Sequence, residues 1–244
     1  MRTPHIYTCQ PLAVGMTIRL EESPARHICQ VLRLRSGEGV SLFNGNGQQY
    51  SATLQSCSRQ KVEATIVSIS KNQSEPPLHF TLALGISKGE RMDYALQKAV
   101  ELGIGRFTPL FTERTVVKLT ERRLERRLVH WQNVAIAACE QSGRSCLPMV
   151  EPPQRFDDWI MNAPQGMRLI LHPNATQSLN RLPPPQASVL LLIGPEGGLS
   201  QKEIAATEAH GFTAVRLGPR ILRTETAPIA ALAAMQMLWG DFRC

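Results

Sequence analysis

Near its C-terminus the chain repeats one arrangement twice in close succession: an apolar strand, a glycine-bearing loop, a helix. The first strand, Val189–Ile193 (VLLLI), is an uninterrupted apolar run of the kind buried on both faces of a parallel sheet. Gly194-Pro195-Glu196-Gly197-Gly198 follows, and Ser200 with Glu203 makes an S-x-x-E capping box for a helix that ends at Gly211. Thr213–Leu217 is the second strand. It leads through Gly218-Pro219-Arg220-Ile221-Leu222-Arg223 to Thr224-Glu225-Thr226, where the last helix begins. Parallel strands need a crossover between them, usually a helix, so the pattern confines this region to an α/β sheet. Open sheets of that class bind ligands outside the carboxyl ends of their strands. Two glycine loops leaving adjacent strands can gather backbone N–H and C=O groups around a small polar molecule, since glycine permits close approach. On spacing alone they can also be tight strand–helix turns.

Upstream, the same alternation continues. His79–Gly85 reads as a strand, Arg91–Leu102 as a helix stopped by Gly103, and Phe107–Phe111 as a strand. A long helix is expected from about Glu121 to Gln141, with Leu124, Leu128, Trp131, Ala135 and Ala138 on one face. Arg168–Leu171 is a further strand. Residues 1–72 have a different texture. Ser23-Pro24 has the residues to open a short helix, Val40–Phe43 and Gln49–Leu54 flank an Asn-Gly hairpin turn, and Lys61–Ile69 alternates as a strand. The polar, proline-bearing stretch 71–77 reads as a linker. The expected organisation is therefore a small β-rich unit over 1–72 and an α/β domain with a mostly parallel sheet over 73–244.

The net charge is +7 over 244 residues. Residues 1–72 hold eight Lys/Arg against four Asp/Glu, a net +4, and residues 73–244 hold 19 against 16, a net +3. The short N-terminal part is the more basic per residue, which favours an anionic partner such as nucleic acid. Six cysteines are scattered without a CxxC pair, which points to inert thiols in a reducing compartment and offers no zinc site. No apolar run approaches the roughly 18 residues of a membrane span. The N-terminus lacks the apolar region of a secretory signal. A soluble, cytoplasmic protein is expected, with neither metal nor membrane partner.

The loops also exclude familiar ligands. A phosphate-binding loop needs Gly-Lys-Ser/Thr after its glycines, whereas Gly198 is followed by Leu199-Ser200. No G-x-G-x-x-G lies between strand and helix, and Ser200 sits in no G-x-S-x-G elbow. The residues alone lead to a small-ligand site without metal or triphosphate on a basic protein.

Two segments carry a more specific likeness. LLIGPEGGLS (Leu191–Ser200) and LGPRILRTETAPIAAL (Leu217–Leu232) closely resemble the RsmE family, bacterial 16S ribosomal RNA uridine N3-methyltransferases of the SPOUT superfamily. GISKGERMDYALQKAVELG (Gly85–Gly103), TPLFTERT (Thr108–Thr115), IAACEQSGR (Ile136–Arg144) and the H-x3-VLRL element from His27 to Leu34 match as well, so the resemblance covers the whole chain. It implies an N-terminal PUA-like β-barrel for RNA and a C-terminal SPOUT α/β domain tied in a deep trefoil knot over about 189–240. It further implies S-adenosylmethionine bound bent inside the knot, a homodimer whose partner completes each active site, and methylation at N3 of uridine 1498 in the small ribosomal subunit.

Carried over by position, donor contacts are expected from Leu171, His172, Gly194, Glu196, Gly197, Leu217, Gly218, Ile221, Leu222, Thr226 and Ala227, much of it through backbone. Methylation at N3 must remove an imide proton, which asks for a base or for stabilisation of the developing anion. Arg223 is the candidate for the second role. Glu225 and Glu196 are candidates for the first, although Glu225 could instead complement the helix dipole and Glu196 could hold its loop. RNA contacts are expected from Arg2, Arg19, Arg33 and Arg35 on the barrel, and from Arg114, Glu140, Gln141 and Arg144 near the cleft. Three competing readings remain at this stage: a SPOUT enzyme for another RNA, a non-catalytic RNA-binding assembly factor, and an unrelated nucleotide-binding enzyme.

Overall fold

The computed structural model of the chain describes residues 3–58, 61–71, 74–117 and 121–242. It divides into two compact units, one of Met1–Glu75 with Ile136–Leu147 and one of Pro76–Ala135 with Pro148–Cys244.

The first unit holds strands β1 (His5–Tyr7) and β2 (Thr17–Arg19), helix α1 (Glu22–Arg26), and strands β3 (Gly39–Phe43), β4 (Gln48–Cys57) and β5 (Val62–Lys71). They form one sheet in the order β1-β3-β4-β5-β2, in which β1 runs parallel to β3 and the other pairs are antiparallel. The period-2 patterning of the long strands sets what is buried: Tyr50, Ala52 and Leu54 from β4, Val62, Ala64 and Ile66 from β5, packed with Ile6, Ile18, Ile28 and Leu42. Register irregularities between Ser51 and Ala52 and between Leu54 and Ser56 interrupt the β4–β5 ladder, as bulges that bend a strand do. The helix expected at Ser23-Pro24 opens one residue earlier, at Glu22, and Ser23 is not its cap. The cap position belongs to Glu21, whose carboxylate is held by the Thr8 hydroxyl at 2.9 Å and the Cys9 N–H at 3.2 Å instead of capping the helix. Beyond Arg26 the helix widens into a π turn over His27–Val31, and Arg33 then adopts a left-handed φ of 55°.

The return of Ile136–Leu147 to this unit was not expected from the linker at 71–77. A buried Arg144 explains it. Its Nε and Nη2 donate to the Glu75 carboxylate, the shortest contact being 2.7 Å, and the Cys146 N–H donates to Glu75 Oε1 at 3.1 Å. The carbonyl of Arg144 meets His5 Nε2 at 3.0 Å, while Glu140 Oε1 accepts the Tyr7 N–H at 3.0 Å.

The second unit runs β6 (His79–Gly85), α2 (Arg91–Glu101), β7 (Ile104–Phe111), α3 (Glu121–Ser142, whose last part belongs to the first unit), β8 (Met149–Val150), β9 (Gln154–Arg155) and α4 (Phe156–Met161). It continues with β10 (Met167–Leu171), β11 (Gln177–Ser178), β12 (Ser188–Ile193), α5 (Gln201–Ala209), β13 (Thr213–Arg216) and α6 (Thr226–Trp239). The sheet order is β11-β13-β10-β12-β6-β7-β8, with β9 also on β7, and every pair is parallel. Val189–Ile193 of β12 and Leu82–Leu84 of β6 are buried, as central parallel strands should be. Trp159, Phe156 and Phe212 pack with Leu190, Leu192 and Ile170 in one core cluster. On α3, Trp131 is buried with its indole N–H on Asp93 Oδ1 at 3.0 Å.

Strands β12 and β13 are not adjacent: β10 lies between them. This order places the end of β10, Leu171-His172, between the two glycine loops.

Candidate functional site

The carboxyl ends of β13, β10 and β12 surround a cavity of about 370 Å³, within the range of small-molecule sites. Of the residues expected to hold the donor, Leu171, His172, Gly194, Glu196, Gly197, Leu217, Ile221, Leu222 and Ala227 line it. Gly218 and Thr226 do not; Thr226 lines a neighbouring trough instead. Ile193, Val215, Thr224 and Arg114 are among the other residues of the walls, and only their positions flanking the recognised loops offered a signal for the first three. The lining combines apolar side chains and loop backbone with Arg114, Arg216 and Arg220, the mostly apolar setting with a few placed polar groups that small-molecule sites use.

Local contacts fix this cradle. A Cβ at Gly85, at the end of β6, would fall 2.4 Å from Pro195 N, so the Gly194-Pro195 turn can pass only a glycine there. The expected capping box is present: the Ser200 hydroxyl accepts the Glu203 N–H at 3.3 Å and Glu203 Oε2 accepts the Ser200 N–H at 2.8 Å. The other carboxylate oxygen of Glu203 accepts the Glu113 N–H at 2.8 Å, and Arg114 Nη1 donates to the Gly197 carbonyl at 2.8 Å. The 113–114 loop is thus tied to the glycine loop after β12, and Arg114 belongs to the cavity wall.

The three candidate catalytic residues separate into different settings. Glu196 Oε1 accepts the Lys88 N–H at 3.0 Å and pairs with Arg91 Nη1 at 2.5 Å. Burial pushes its carboxyl up, but hydrogen bonds from its own backbone, Lys88, Arg91 and Ser87 outweigh this and hold it below the usual carboxylate range. Such a group is a poor proton acceptor and a good loop anchor. Glu225 occupies the N-cap position of α6 without capping it. Its Oε2 is buried with no hydrogen-bond partner, and the nearest charge is Arg91 Nε at 3.8 Å. Arg223 is exposed, and its guanidinium meets no carboxylate among the described residues.

Of the expected RNA contacts, Arg19, Arg33 and Arg35 are exposed on the first unit, as is Gln141. Arg2 lies outside the described residues. Glu140 is half-buried, and burial raises its carboxyl above the usual range despite the Tyr7 N–H and the nearby His27. Arg144 is 3% exposed and engaged by Glu75, so its guanidinium serves the fold of the first unit and is not presented to a ligand. Among the described residues no group of three His, Cys, Asp or Glu side chains could hold a metal, and Cys9, Cys29, Cys57, Cys139 and Cys146 are free thiols. No helix of the described residues is long and apolar enough to cross a membrane.

A family model for an RNA methyltransferase domain matches residues 74–236, and one for an RNA methyltransferase PUA domain matches residues 20–67. The ribosomal RNA small subunit methyltransferase E of Buchnera aphidicola from Schizaphis graminum is 35% identical over 241 residues, 98% of each chain. The Bacillus subtilis protein of the same name is 30% identical over 248 residues, 96% of each chain. A crystal structure of ribosomal RNA small subunit methyltransferase E from Neisseria gonorrhoeae, bound to S-adenosylmethionine, superposes with a TM-score of 0.93 at 41% identity, covering 99% of this chain and 100% of that one. Matched over its whole length in sequence and in fold, the chain belongs to the ribosomal RNA small subunit methyltransferase E family, with a PUA domain followed by an RNA methyltransferase domain.

Proposed function

We propose that this protein transfers a methyl group from S-adenosylmethionine to N3 of a uridine in the 16S RNA of the small ribosomal subunit, acting in the cytoplasm as a homodimer. The observation that carries the reading is the cavity at the ends of β13, β10 and β12, where nine residues expected from the resemblance meet in one place. Its apolar walls and loop backbone fit the adenosine and methionine parts of the donor, which supplies a methyl group activated on a sulfonium. A trefoil knot over about 189–240 belongs to the same reading, supported by the way the 170–173, 193–201 and 215–227 segments enclose that one cavity.

Glu225 is the better candidate base, since Glu196 is engaged and Glu225 Oε2 has no hydrogen-bond partner, only the Arg91 guanidinium 3.8 Å away. N3 gives its imide proton to Glu225 and bonds the methyl carbon as the carbon–sulfur bond breaks, its electron pair staying on sulfur. Arg223, with no carboxylate partner among the described residues, holds the uracil oxygen on which negative charge develops. Arg2, Arg19, Arg33 and Arg35 position the RNA through its phosphates. The homodimer is supported by α6, which is apolar apart from Thr226 and Gln236 and leaves Met237 57% exposed, and by Ile221, 84% exposed in the preceding loop.

The test is transfer of labelled methyl to assembled small subunits, naked 16S RNA and transfer RNA side by side, followed by nucleoside analysis. N3-methyluridine from small-subunit RNA is the expected product. No transfer from folded protein to any of the three would leave a non-catalytic RNA-binding factor as the reading. In Arg223→Ala, transfer should fall about 100-fold or more while donor affinity, measured by calorimetry, is retained; wild-type turnover would remove Arg223 from the mechanism.

A further inference from the structure

Helix α3 carries a run of cations that the donor cavity does not use. Arg122, Arg123, Arg126 and Arg127 lie within its first two turns, and at 3.6 residues per turn they share one side of the helix with His130. Leu124, Leu128, Trp131 and Ala135 fall on the other side, where Trp131 and Ala135 are buried. Arg122, Arg123 and Arg126 are exposed and Arg127 is half-buried. None of the four makes an ion pair among the described residues, and neither does the interspersed Glu125. This arrangement works against the helix. Arg122 with Arg126, and Arg123 with Arg127, are like charges at i,i+4 spacing, which repel. Arg122 and Arg123 also stand in the first turn, at the positive end of the helix dipole. A solvated helix face interleaves both signs; a face of one sign, set against its own helix, is complementary to a polyanion.

A second observation gives this face a direction. A recess of about 240 Å³ is lined by Arg127 and Trp131 of α3, by Met92 of α2, and by Ser87, Lys88 and Gly89 of the turn before α2, among others. Lys88 and Gly89 also line the trough of about 700 Å³ that holds Arg223 and Glu225. The cations of α3 therefore continue through Lys88 to the place where the proposed methyl transfer puts the uracil. The geometry points to the arginine face of α3 as the track for the RNA strand that flanks the target nucleotide. Its phosphates lie on Arg122, Arg123, Arg126 and Arg127, whose planar guanidinium groups suit phosphate oxygens. Phosphate contacts fix register and orientation and carry no sequence information, so the track positions the strand and leaves the choice of base to the trough. It adds a phosphate surface in the methyltransferase domain to the one expected on the first unit.

The inference rests on the RNA methyltransferase reading above, and a binding measurement separates the two because it needs no turnover. Affinity for naked 16S RNA is measured against salt for wild type, Arg122→Gln/Arg126→Gln and Arg122→Lys/Arg126→Lys. Arg155→Gln, an exposed arginine elsewhere in the same domain, is the control. The glutamine pair should flatten the slope of log affinity against log salt by about 1.5, for two lost phosphate contacts at about 0.7–0.9 each. The lysine pair, which keeps the charge, and Arg155→Gln should keep the wild-type slope. In transfer to small subunits, the glutamine pair should raise KM and leave kcat and S-adenosylmethionine affinity unchanged. Its melting temperature should not fall, since a repulsion is relieved. A wild-type slope in the glutamine pair overturns the track and leaves the enzyme reading intact wherever transfer persists. A raised KM on small subunits with a wild-type slope on naked RNA also overturns it, and assigns the face to an acidic protein of the subunit. A wild-type protein that binds RNA through α3 and methylates none overturns the enzyme reading alone.

Discussion

At the residue scale, the candidate acids and arginines differ chiefly in which of them are already engaged. Glu196 and Glu225 are indistinguishable as acidic residues beside glycine loops; the difference is Arg91, which lies more than a hundred positions upstream of both in sequence and reaches Glu196 directly. Arginine suits phosphate, which makes Arg144 a plausible RNA contact by residue type, and nothing near it in sequence reveals Glu75. Glu140 is a further case with a pH consequence. Burial raises its carboxyl, so the folded protein binds that proton more tightly than the unfolded chain does. Stability is therefore greater below the ordinary carboxylate range and declines as pH rises through the raised folded value. Glu140→Gln keeps an oxygen for the Tyr7 N–H and has no charge to bury. The variant should melt higher than wild type at pH 7 and show a smaller change in melting temperature between pH 4 and pH 7; an unchanged difference would mean that Glu140 ionises in the folded protein as it does in water.

At the element scale, legibility followed length and periodicity. Strands β6 and β12, helix α2 and the α5 capping box were readable because apolar runs, glycine stops and the S-x-x-E spacing are local signals. Strands of two or three residues, such as β1, β2 and β8, carry no period and were missed, as was α4. The π turn at His27–Val31 and the left-handed Arg33 are imposed by packing around Ile28, which no propensity encodes. Strand order was the costlier omission, because β10 enters the site only by lying between β12 and β13. The capping box itself can be tested. Ser200→Ala removes one acceptor from the first turn of α5 and loosens Glu203, which also holds the Glu113 N–H. The expected cost is about 1 kcal/mol in unfolding free energy, with a weakened donor affinity because Arg114 and Gly197 share that loop contact. A destabilised variant with unaltered donor affinity would show that the cap serves the helix alone.

At the scale of the whole molecule, the uneven charge read from the sequence acquires a surface. In the first unit, Arg26 pairs with Glu22 and Lys61 with Glu63, whereas Arg33 and Arg35 are exposed without a carboxylate partner among the described residues. A cation in that state that neutralises an RNA phosphate releases the counterion condensed on the RNA there, so affinity should fall steeply with salt. Each exposed arginine that meets a phosphate contributes about 0.7–0.9 to the slope of log affinity against log salt. Arg33→Ala and Arg35→Ala should therefore each flatten that slope by somewhat under one while leaving the melting temperature nearly unchanged. Arg144→Ala should do the reverse. It strands the Glu75 carboxylate inside the first unit, costing about 3 kcal/mol, toward the low end for a buried pair because Glu75 retains some solvent. Its salt slope, measured at a temperature where the variant is folded, should match wild type. If Arg144→Ala flattens the slope and Arg33→Ala does not, the RNA lies against a different face of the first unit, and the division between positioning and structural arginines drawn from their burial is wrong.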